Sequence, residues 1–233
     1  MAHPKQTLRT LASGVWVVDH DFKVAGGVAI GTRTTIVELR DGALWVHSPG
    51  PLTPDLREAV EALGRVRCLV APNLWHHLYV EDWRAAWPEA RLYAVPGLAE
   101  KQANVTVDEE LGEAAPAAWK GEIEQLPIAG MARMNEFVFL HSATGTLVLT
   151  DLCFNMQESD SWWTRVFMRI NGIWQRFGAS RLFKTMVDDR AALVRSVERI
   201  LDWDFERIVV AHGDVVERDG RPTFEAALGG FSK

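Results

Sequence analysis

The sequence predicts an α/β fold in which two packed sheets carry helices on their outer faces. Apolar segments of strand length alternate with segments of helical periodicity, and two such halves follow one another along the chain. The 233 residues are 48% hydrophobic and 24% charged, with no repeat and no evident linker. We therefore expect residues 1–233 to form a single domain.

In the first half, five segments have the length and apolar character of strands. They are residues 15–19, 34–40, 43–47, 66–71 and 91–95. Asp41-Gly42 joins the second segment to the third and suits a type I′ hairpin turn. Before the fourth segment, Thr53 as N-cap, Pro54 in the first helical position and Gly64 beyond the last turn predict a helix.

Two further segments complete the first half and lead into the second. Residues 81–87 predict a short helix that Pro88 ends, since proline cannot continue a helix. Residues 107–121 are acidic and rich in Ala and Pro, and this composition predicts an excursion over the surface.

The second half contains four strand-like segments. They are residues 122–128, 137–141, 146–151 and 207–211. Between the last two, residues 161–186 predict a helical region. Asp188 or Asp189 then caps a further helix that reaches about Trp203.

Charge and cysteine content exclude several classes of protein. The net charge is −6, whereas nucleic-acid-binding proteins usually carry a basic excess, so we expect no nucleic-acid partner. Two cysteines, Cys68 and Cys153, are too few for a disulfide framework. The sequence shows neither a membrane-spanning run nor a signal peptide, and we expect a cytoplasmic location.

Side chains able to bind a metal follow three predicted strands. His76 and His77 come after residues 66–71, Asp151 ends another strand, and His212 ends the last. Strand ends in α/β proteins converge on one crevice. Three imidazoles and a carboxylate suit a divalent transition metal. A single histidine after a strand is more often a capped or packed residue, so the prediction depends on the joint pattern.

Four stretches of the chain resemble the metallo-β-lactamase-fold superfamily. They are residues 44–50, residues 68–78, residues 145–154 with the letters LVLTDLCF at their end, and residues 208–214. Within that superfamily the chain is similar to a branch classed as a domain of unknown function. The resemblance implies an αββα four-layer sandwich of metallo-β-lactamase type, with a metal site at one edge of the two sheets.

The main motif of that superfamily, His-x-His-x-Asp-His, is degenerate in this chain. The best register places Pro72 and Leu74 at the two leading histidines, His76 at the aspartate and His77 at the final histidine. A register shifted by one residue places Asn73, Trp75 and His77 in the motif instead. In either register the first metal position is lost, so the expectation of a single ion does not depend on the register.

The remaining family ligands also have counterparts in the chain. A later family histidine falls near Met131, the bridging aspartate matches Asp151 and the last histidine matches His212. The resemblance therefore implies one divalent ion, Zn or Fe with Mn as a further candidate, held by a single ligand set. That set consists of His76, His77, Asp151 and His212.

This ligand set predicts a mononuclear hydrolase acting on an ester, lactone, amide or phosphoester of a small molecule, with His76 and Asp151 as catalytic residues. Two alternatives remain: a binding protein of the same fold that has lost catalysis, and an iron-dependent redox enzyme. His47 is either a support for a metal-binding histidine or a packed strand end, and Asn73 is a candidate cap for the following segment.

Residues 161–184 form a second unusual stretch, which has five basic residues and no acidic one. Aromatic and aliphatic residues recur there at three- and four-residue steps, as in an amphipathic helix. The alternatives are a helical cover over the site, peripheral membrane contact, a dimer contact, and a helix packed on the sheet with its arginines in water.

Overall fold

The structure is a computed structural model that describes residues 7–229. It contains thirteen strands within that range, numbered here in chain order. They are β1 (Arg9–Ala12), β2 (Val15–His20), β3 (Lys23–Val24), β4 (Val28–Ala29), β5 (Thr32–Glu38), β6 (Ala43–His47), β7 (Arg65–Ala71), β8 (Arg91–Ala94), β9 (Glu109–Glu110), β10 (Ile123–Pro127), β11 (Phe137–His141), β12 (Thr146–Val148) and β13 (Arg207–Val209).

Seven α-helices accompany these strands in the described part of the chain. They are α1 (Pro54–Leu63), α2 (Val80–Ala86), α3 (Leu98–Lys101), α4 (Trp162–Ile170), α5 (Arg181–Lys184), α6 (Arg190–Leu201) and α7 (Gly220–Leu228). A seven-stranded sheet has the order β1-β2-β5-β6-β7-β8-β9, and a four-stranded sheet has the order β10-β11-β12-β13. Strands β3 and β4 form a separate hairpin.

The two sheets face each other and the helices lie outside them. Trp45 of β6 packs edge-on against Phe139 of β11, with ring centroids 5.1 Å apart, so the inner faces of both sheets share one core. Helices α1 and α2 cover the first sheet, while α6 and α7 cover the second. This αββα arrangement confirms the predicted fold class.

Local signals in the first half are reproduced in the structure. Strands β5 and β6 form the predicted antiparallel hairpin, and Gly42 in its turn has φ 78°. The predicted type I′ turn is wrong, because Asp41 lacks the positive φ that this turn requires at both central residues. Helix α1 starts at Pro54 with the Thr53 hydroxyl accepting a hydrogen bond from Leu56 N. Strand β7 runs parallel to both of its neighbours, β6 and β8, as its continuous apolar sequence predicts.

The predicted surface excursion at residues 107–121 is wrong in part. Two of its residues pair as β9 at the edge of the first sheet, and Leu111 and Trp119 are buried in the core. Trp119 packs edge-on against Trp45 and Tyr93, and its indole N–H donates to Gln125 Oε1. The large apolar area of one tryptophan therefore outweighs the polar composition around it.

The predicted helical region at residues 161–186 is two helices rather than one. Helix α4 ends at Ile170, and Gly172 follows with φ 73°. The chain then runs without helix to Ser180, whose hydroxyl accepts a hydrogen bond from Phe183 N as the cap of α5. The break brings Gly178 beside Phe154 in an isolated bridge.

Candidate metal centre

The loops that follow four strands meet at one edge of the two sheets. Strands β6 and β7 are parallel, and so are β12 and β13, so their carboxyl ends point to the same edge. Ser48 follows β6, His76 lies in the loop after β7, Asp151 follows β12 and His212 follows β13. The topology thus brings together residues that lie up to 164 positions apart in sequence.

Three of the predicted site residues form a compact cluster. One ligand atom from each of His76, Asp151 and His212 lies within 4.8 Å of the others. His76 Nε2 is 3.3 Å from Asp151 Oδ2, and His212 Nε2 is 3.1 Å from Asp151 Oδ1. Asp151 and His212 are buried, and His76 is partly buried. The carboxylate therefore lies between two imidazoles, with one oxygen directed at each.

The backbone sets the tautomer of His212. Its Nδ1 lies 2.7 Å from the carbonyl oxygen of Gly31, and only a protonated nitrogen can donate to that acceptor. In the neutral ring the proton is thus on Nδ1, and Nε2 directs a lone pair at Asp151 Oδ1. Two acceptors face each other at 3.1 Å, an arrangement that is favourable only with a cation between them or a proton on Nε2.

Ser48 and Asn73 orient His76. The Ser48 hydroxyl lies 2.7 Å from His76 Nδ1, which leaves Nε2 directed at Asp151. Asn73 Oδ1 accepts hydrogen bonds from the backbone N–H groups of Trp75 and His76, at 2.9 and 2.8 Å. Asn73 therefore caps this segment, as the sequence predicts, and fixes the backbone from which His76 projects.

The amide of Asn73 also reaches the carboxylate. Asn73 Nδ2 donates to Asp151 Oδ2 at 2.7 Å. Burial opposes ionisation of Asp151, but the charges and hydrogen bonds of His76 and His212 outweigh burial and hold the Asp151 pKa below its ordinary value. The Asp151 side chain is consequently an anion. Among the described residues that line the adjoining cavity, Asp151 is the acidic one.

A second buried carboxylate holds the loop that carries Asp151. Glu136 accepts hydrogen bonds from the backbone N–H groups of Thr150, Asp151 and Leu152, at distances of 2.8 to 3.1 Å. Burial and the negative charge of Asp151 raise the pKa of Glu136 to about 8, against the opposing effect of those three donors. Sequence reasoning missed Glu136, because an acidic residue beside an apolar strand resembles any surface glutamate.

The cluster fits a divalent metal ion. Two ligand atoms at about 2.1 Å from one ion, with a tetrahedral angle between them, lie about 3.4 Å apart. The distance from His76 Nε2 to Asp151 Oδ2 is 3.3 Å, and the distance from His212 Nε2 to Asp151 Oδ1 is 3.1 Å. Both distances are close to that value. Metal-binding histidines usually donate the other ring N–H to a carbonyl or another polar group, as His212 does to Gly31.

A cavity of about 400 Å³ opens above the cluster. His76, Asp151 and His212 lie in its lining together with Ser48 and His77. The other walls are largely apolar, with one cation and two uncharged polar side chains. They come from the β3–β4 hairpin and the residues beside it, the loops after β6 and β7, and the end of α3. These residues are Phe22, Val24, Ile30, Thr32, Pro49, Trp75, Leu78, Tyr79, Lys101 and Gln102. Such a lining suits a small molecule with an apolar body and one polar group.

Other candidate residues lie outside the cluster. His77 lines the cavity but does not belong to the group of three ligand atoms, so its role as a metal ligand stays a prediction. His47 is buried and stacks on Trp45, and neither of its ring nitrogens has a hydrogen-bond partner in the described structure. Burial raises the pKa of the Cys153 thiol well above its ordinary value, which makes this cysteine inert.

Solved structures with the same fold are metallo-β-lactamases. DIM-1 metallo-β-lactamase exposed to ceftazidime aligns with a TM-score of 0.67 at 12% identity, over 99% of both chains. The metallo-β-lactamase FIM-1 from Pseudomonas aeruginosa in its mono-zinc form aligns with a TM-score of 0.65 at 16% identity, over 96% of this chain and 95% of that one. The metallo-β-lactamase from Pontibacter korlensis gives 0.66 at 14% identity, over 96% and 98%.

These likenesses show that the chain has the fold of the metallo-β-lactamases. Residues 12–166 match the family described as Domain of unknown function (DUF4336), and the chain belongs to that family. No curated protein matches the sequence. Across residues 7–229, no helix has the length and apolar character needed to cross a membrane.

Proposed function

We propose that the protein is a metal-dependent hydrolase that holds one divalent ion at His76, Asp151 and His212. The observation that carries the proposal is the contact between His212 Nε2 and Asp151 Oδ1. In the neutral His212 ring, the carbonyl of Gly31 holds the proton on the opposite nitrogen, so a lone pair and an anion point into the same space. A divalent cation is the group that such a pair of ligand atoms binds best.

When bound, a zinc, iron or manganese ion at these residues supplies Lewis acidity and lowers the pKa of a water molecule. The protein itself contributes orientation. Ser48 and Gly31 hold the two imidazoles through their Nδ1 atoms, and Asn73 and Glu136 hold the carboxylate and its loop. His76 and Asp151, the proposed catalytic residues, line the cavity together with His212.

The size and lining of the cavity favour a small molecule as the substrate. Its apolar walls suit the hydrocarbon part of an ester, lactone, amide or phosphoester, while the polar floor lies where the bond to be broken would be placed. Lys101 lines the same cavity and is anchored by a hydrogen bond to the carbonyl of Leu74. A cation at this position favours a substrate with a negatively charged group.

A single ion follows from the degenerate motif rather than from the cluster alone. The leading positions of the family motif fall on Pro72 and Leu74, and the later histidine falls near Met131, so none of these provides a nitrogen or carboxylate ligand. Met131 is buried in the core between the second sheet and its helices. We therefore propose one occupied position and not the pair that the full family motif would hold.

His77 is the fourth proposed ligand. It lies next to His76 in the chain and lines the same cavity, and these two observations support the role. A His77→Ala variant tests this role. Loss of metal affinity comparable to that of His212→Ala supports ligation, and an affinity within a few-fold of the wild type limits His77 to the cavity wall.

A second candidate function has its own supporting observation. Asp151 lies within hydrogen-bond distance of Asn73, His76 and His212. A cluster that satisfies itself in this way also suits a binding protein of the same fold that has lost catalysis. In that case the cavity binds a small molecule or a partner, and metal is not needed for its shape.

The test of the hydrolase proposal is activity toward a panel of small esters, lactones, amides and phosphoesters. We expect one class to be hydrolysed by metal-loaded protein, with activity lost on chelation and restored by the metal. The His212→Ala variant should be inactive, whereas His141→Ala, a histidine bonded to Thr144 away from the cluster, should retain activity. Metal-loaded protein that hydrolyses no member of the panel but binds one would favour the binding protein.

A further inference from the structure

An apolar stripe on helix α4 faces outward instead of toward the core. Thr164 and Met168 are the buried residues of this helix, and Met168 packs in the small core beneath the β3–β4 hairpin. On the opposite side, Trp162 is 67% exposed, Ile170 is 61% exposed and Trp163 is 41% exposed. Soluble helices normally direct such residues inward, so three large apolar side chains in water indicate a contact surface.

The stripe continues onto helix α5. Arg181 donates a hydrogen bond to the carbonyl of Ile170, and its backbone N–H donates to the carbonyl of Asn171. These bonds hold the start of α5 against the end of α4. Leu182, the residue after Arg181, is 55% exposed, so it extends the apolar surface beyond Ile170.

Basic residues lie in the same segment of the chain as this apolar surface. Residues 161–184 contain four arginines and one lysine and no acidic residue, a charge of +5. The basic residues are Arg165, Arg169, Arg176, Arg181 and Lys184. Within the described chain, none of the four arginines forms an ion pair with a carboxylate, and Arg169 lies over the ring of Trp174 at 5.1 Å. Their charge is therefore available to an external anion.

We propose that α4 and α5 form a docking surface for an anionic lipid bilayer. Exposed tryptophans beside arginines are the side chains that lie in the interface of a membrane, with the indole at the level of the headgroups. The charge distribution favours this orientation. The chain has a net charge of −6, so a charge of +5 in this segment leaves −11 on the rest of the chain. Anionic lipid therefore attracts this segment, while the net charge of the remainder is repelled.

Charge also argues against the same surface as a dimer contact. A two-fold dimer places the same patch of both chains together, so it would bring +5 against +5. A bilayer with anionic headgroups has the opposite charge and also accepts the apolar side chains. The Trp163 indole N–H donates to the carbonyl of Gly26 in the β3–β4 hairpin, which holds the stripe beside the cavity wall.

The test is sedimentation of the full chain with vesicles of phosphatidylcholine, with and without phosphatidylglycerol, at low and high salt. We expect binding to the anionic vesicles only, and release at high salt. Arg169→Gln/Arg176→Gln should lower the partition coefficient about 25-fold, since each arginine contributes a factor of about five. Trp162→Ser/Ile170→Ser should lower it about tenfold or more, because it removes apolar area from the membrane contact.

Matched control variants distinguish an effect of this surface on vesicle binding from a general effect of net charge or hydrophobicity. Arg133→Gln/Arg195→Gln makes the same change in net charge at two exposed arginines outside the segment, and Leu78→Ser removes an exposed leucine at the cavity wall. Both should bind as the wild type does. The proposal is overturned if the wild type stays in the supernatant with anionic vesicles, or if the control variants lose binding equally. It is also overturned if the α4 variants abolish self-association instead of lipid binding.

Discussion

Asn73 Nδ2 donates a hydrogen bond to Asp151 Oδ2 at 2.7 Å, while the other side-chain atom of Asn73, Oδ1, caps the backbone of His76. A single buried amide thus links two of the three clustered ligands, which come from different sheets. The relative position of the loop after β7 and the loop after β12 depends on this residue. The first prediction concerns its removal.

Replacing Asn73 by alanine should lower both stability and metal affinity. The change leaves an oxygen of Asp151 and the N–H groups of Trp75 and His76 without their partner, which costs about 1–3 kcal/mol of unfolding free energy. Metal affinity should fall roughly 10–100-fold, as it does when partners of metal ligands are removed. Chemical denaturation and metal titration measure the two effects. Asn171→Ala, whose amide bonds within α4, is the control and should change stability alone.

A Gly213→Ala variant tests the backbone next to His212. Gly213 has φ 98°, and a Cβ built there lies 2.2 Å from the carbonyl oxygen of Asn155. The substitution should cost about 2–4 kcal/mol and displace His212, with weaker metal binding as the consequence. Gly112→Ala, where an added Cβ meets no atom within 4 Å, should be nearly neutral in the same denaturation and titration experiments. Unchanged stability in Gly213→Ala would contradict the observed close approach.

The buried His47 should make the protein sensitive to acid. Burial, with a smaller effect from the charge of His76, lowers the pKa of His47 to about 3, against 6.5 ordinarily. Between these values the unfolded chain binds a proton that the folded protein does not. The stability that depends on neutral His47 is therefore fully present above pH 6.5. Below that pH, the unfolding free energy falls by about 1.4 kcal/mol for each pH unit.

A His47→Phe variant isolates this contribution, since phenylalanine keeps a ring between Trp45 and Phe139 but does not titrate. Between pH 4 and 6, the slope of unfolding free energy against pH should become less steep, by an amount that corresponds to about one bound proton. His20, whose pKa is lowered to about 4, remains as a background slope in both proteins. Identical slopes for the two proteins would mean that His47 is protonated in the folded state.

The burial of Trp119 has a direct consequence for stability. Because its side chain is fully buried against Trp45 and Tyr93, Trp119→Ala should lower the unfolding free energy by about 3–5 kcal/mol. The matched control is Trp162→Ala, an exposed tryptophan whose removal should change stability by no more than about 0.5 kcal/mol. Equal effects in a denaturant titration would contradict the placement of residues 107–121.

Local and periodic signals made much of the fold predictable from the sequence. The Asp41-Gly42 turn and the Thr53 cap each act within a few residues, and the structure has both. The strand ends before His76, Asp151 and His212 were predictable because buried apolar runs are visible in the sequence. Their meeting at one site was predictable because the carboxyl ends of parallel strands lie at the same edge of a sheet. The resemblance to a known superfamily supplied the order of the layers.

The rest depends on contacts between distant residues. Glu136 binds backbone groups at least 14 positions away, and no local pattern distinguishes it from an ordinary polar residue. The cap formed by Asn73 was predictable, but its bond to Asp151, 78 positions away, was not. Trp119 was assigned to the surface because its neighbours are acidic and small, whereas its burial is decided by Trp45 and Tyr93. The β3–β4 hairpin, which lines the cavity, is too short for a periodic signal.

The central claim is one metal ion at His76, Asp151 and His212, and elemental analysis of protein purified without chelator tests it most directly. We predict about one divalent ion per chain, lost in both His76→Ala and His212→Ala and retained in His141→Ala. Nearly two ions per chain would contradict the single site. Retention of metal in both site variants would contradict its position, and the absence of metal after supplementation with zinc, iron and manganese would contradict the metal centre itself.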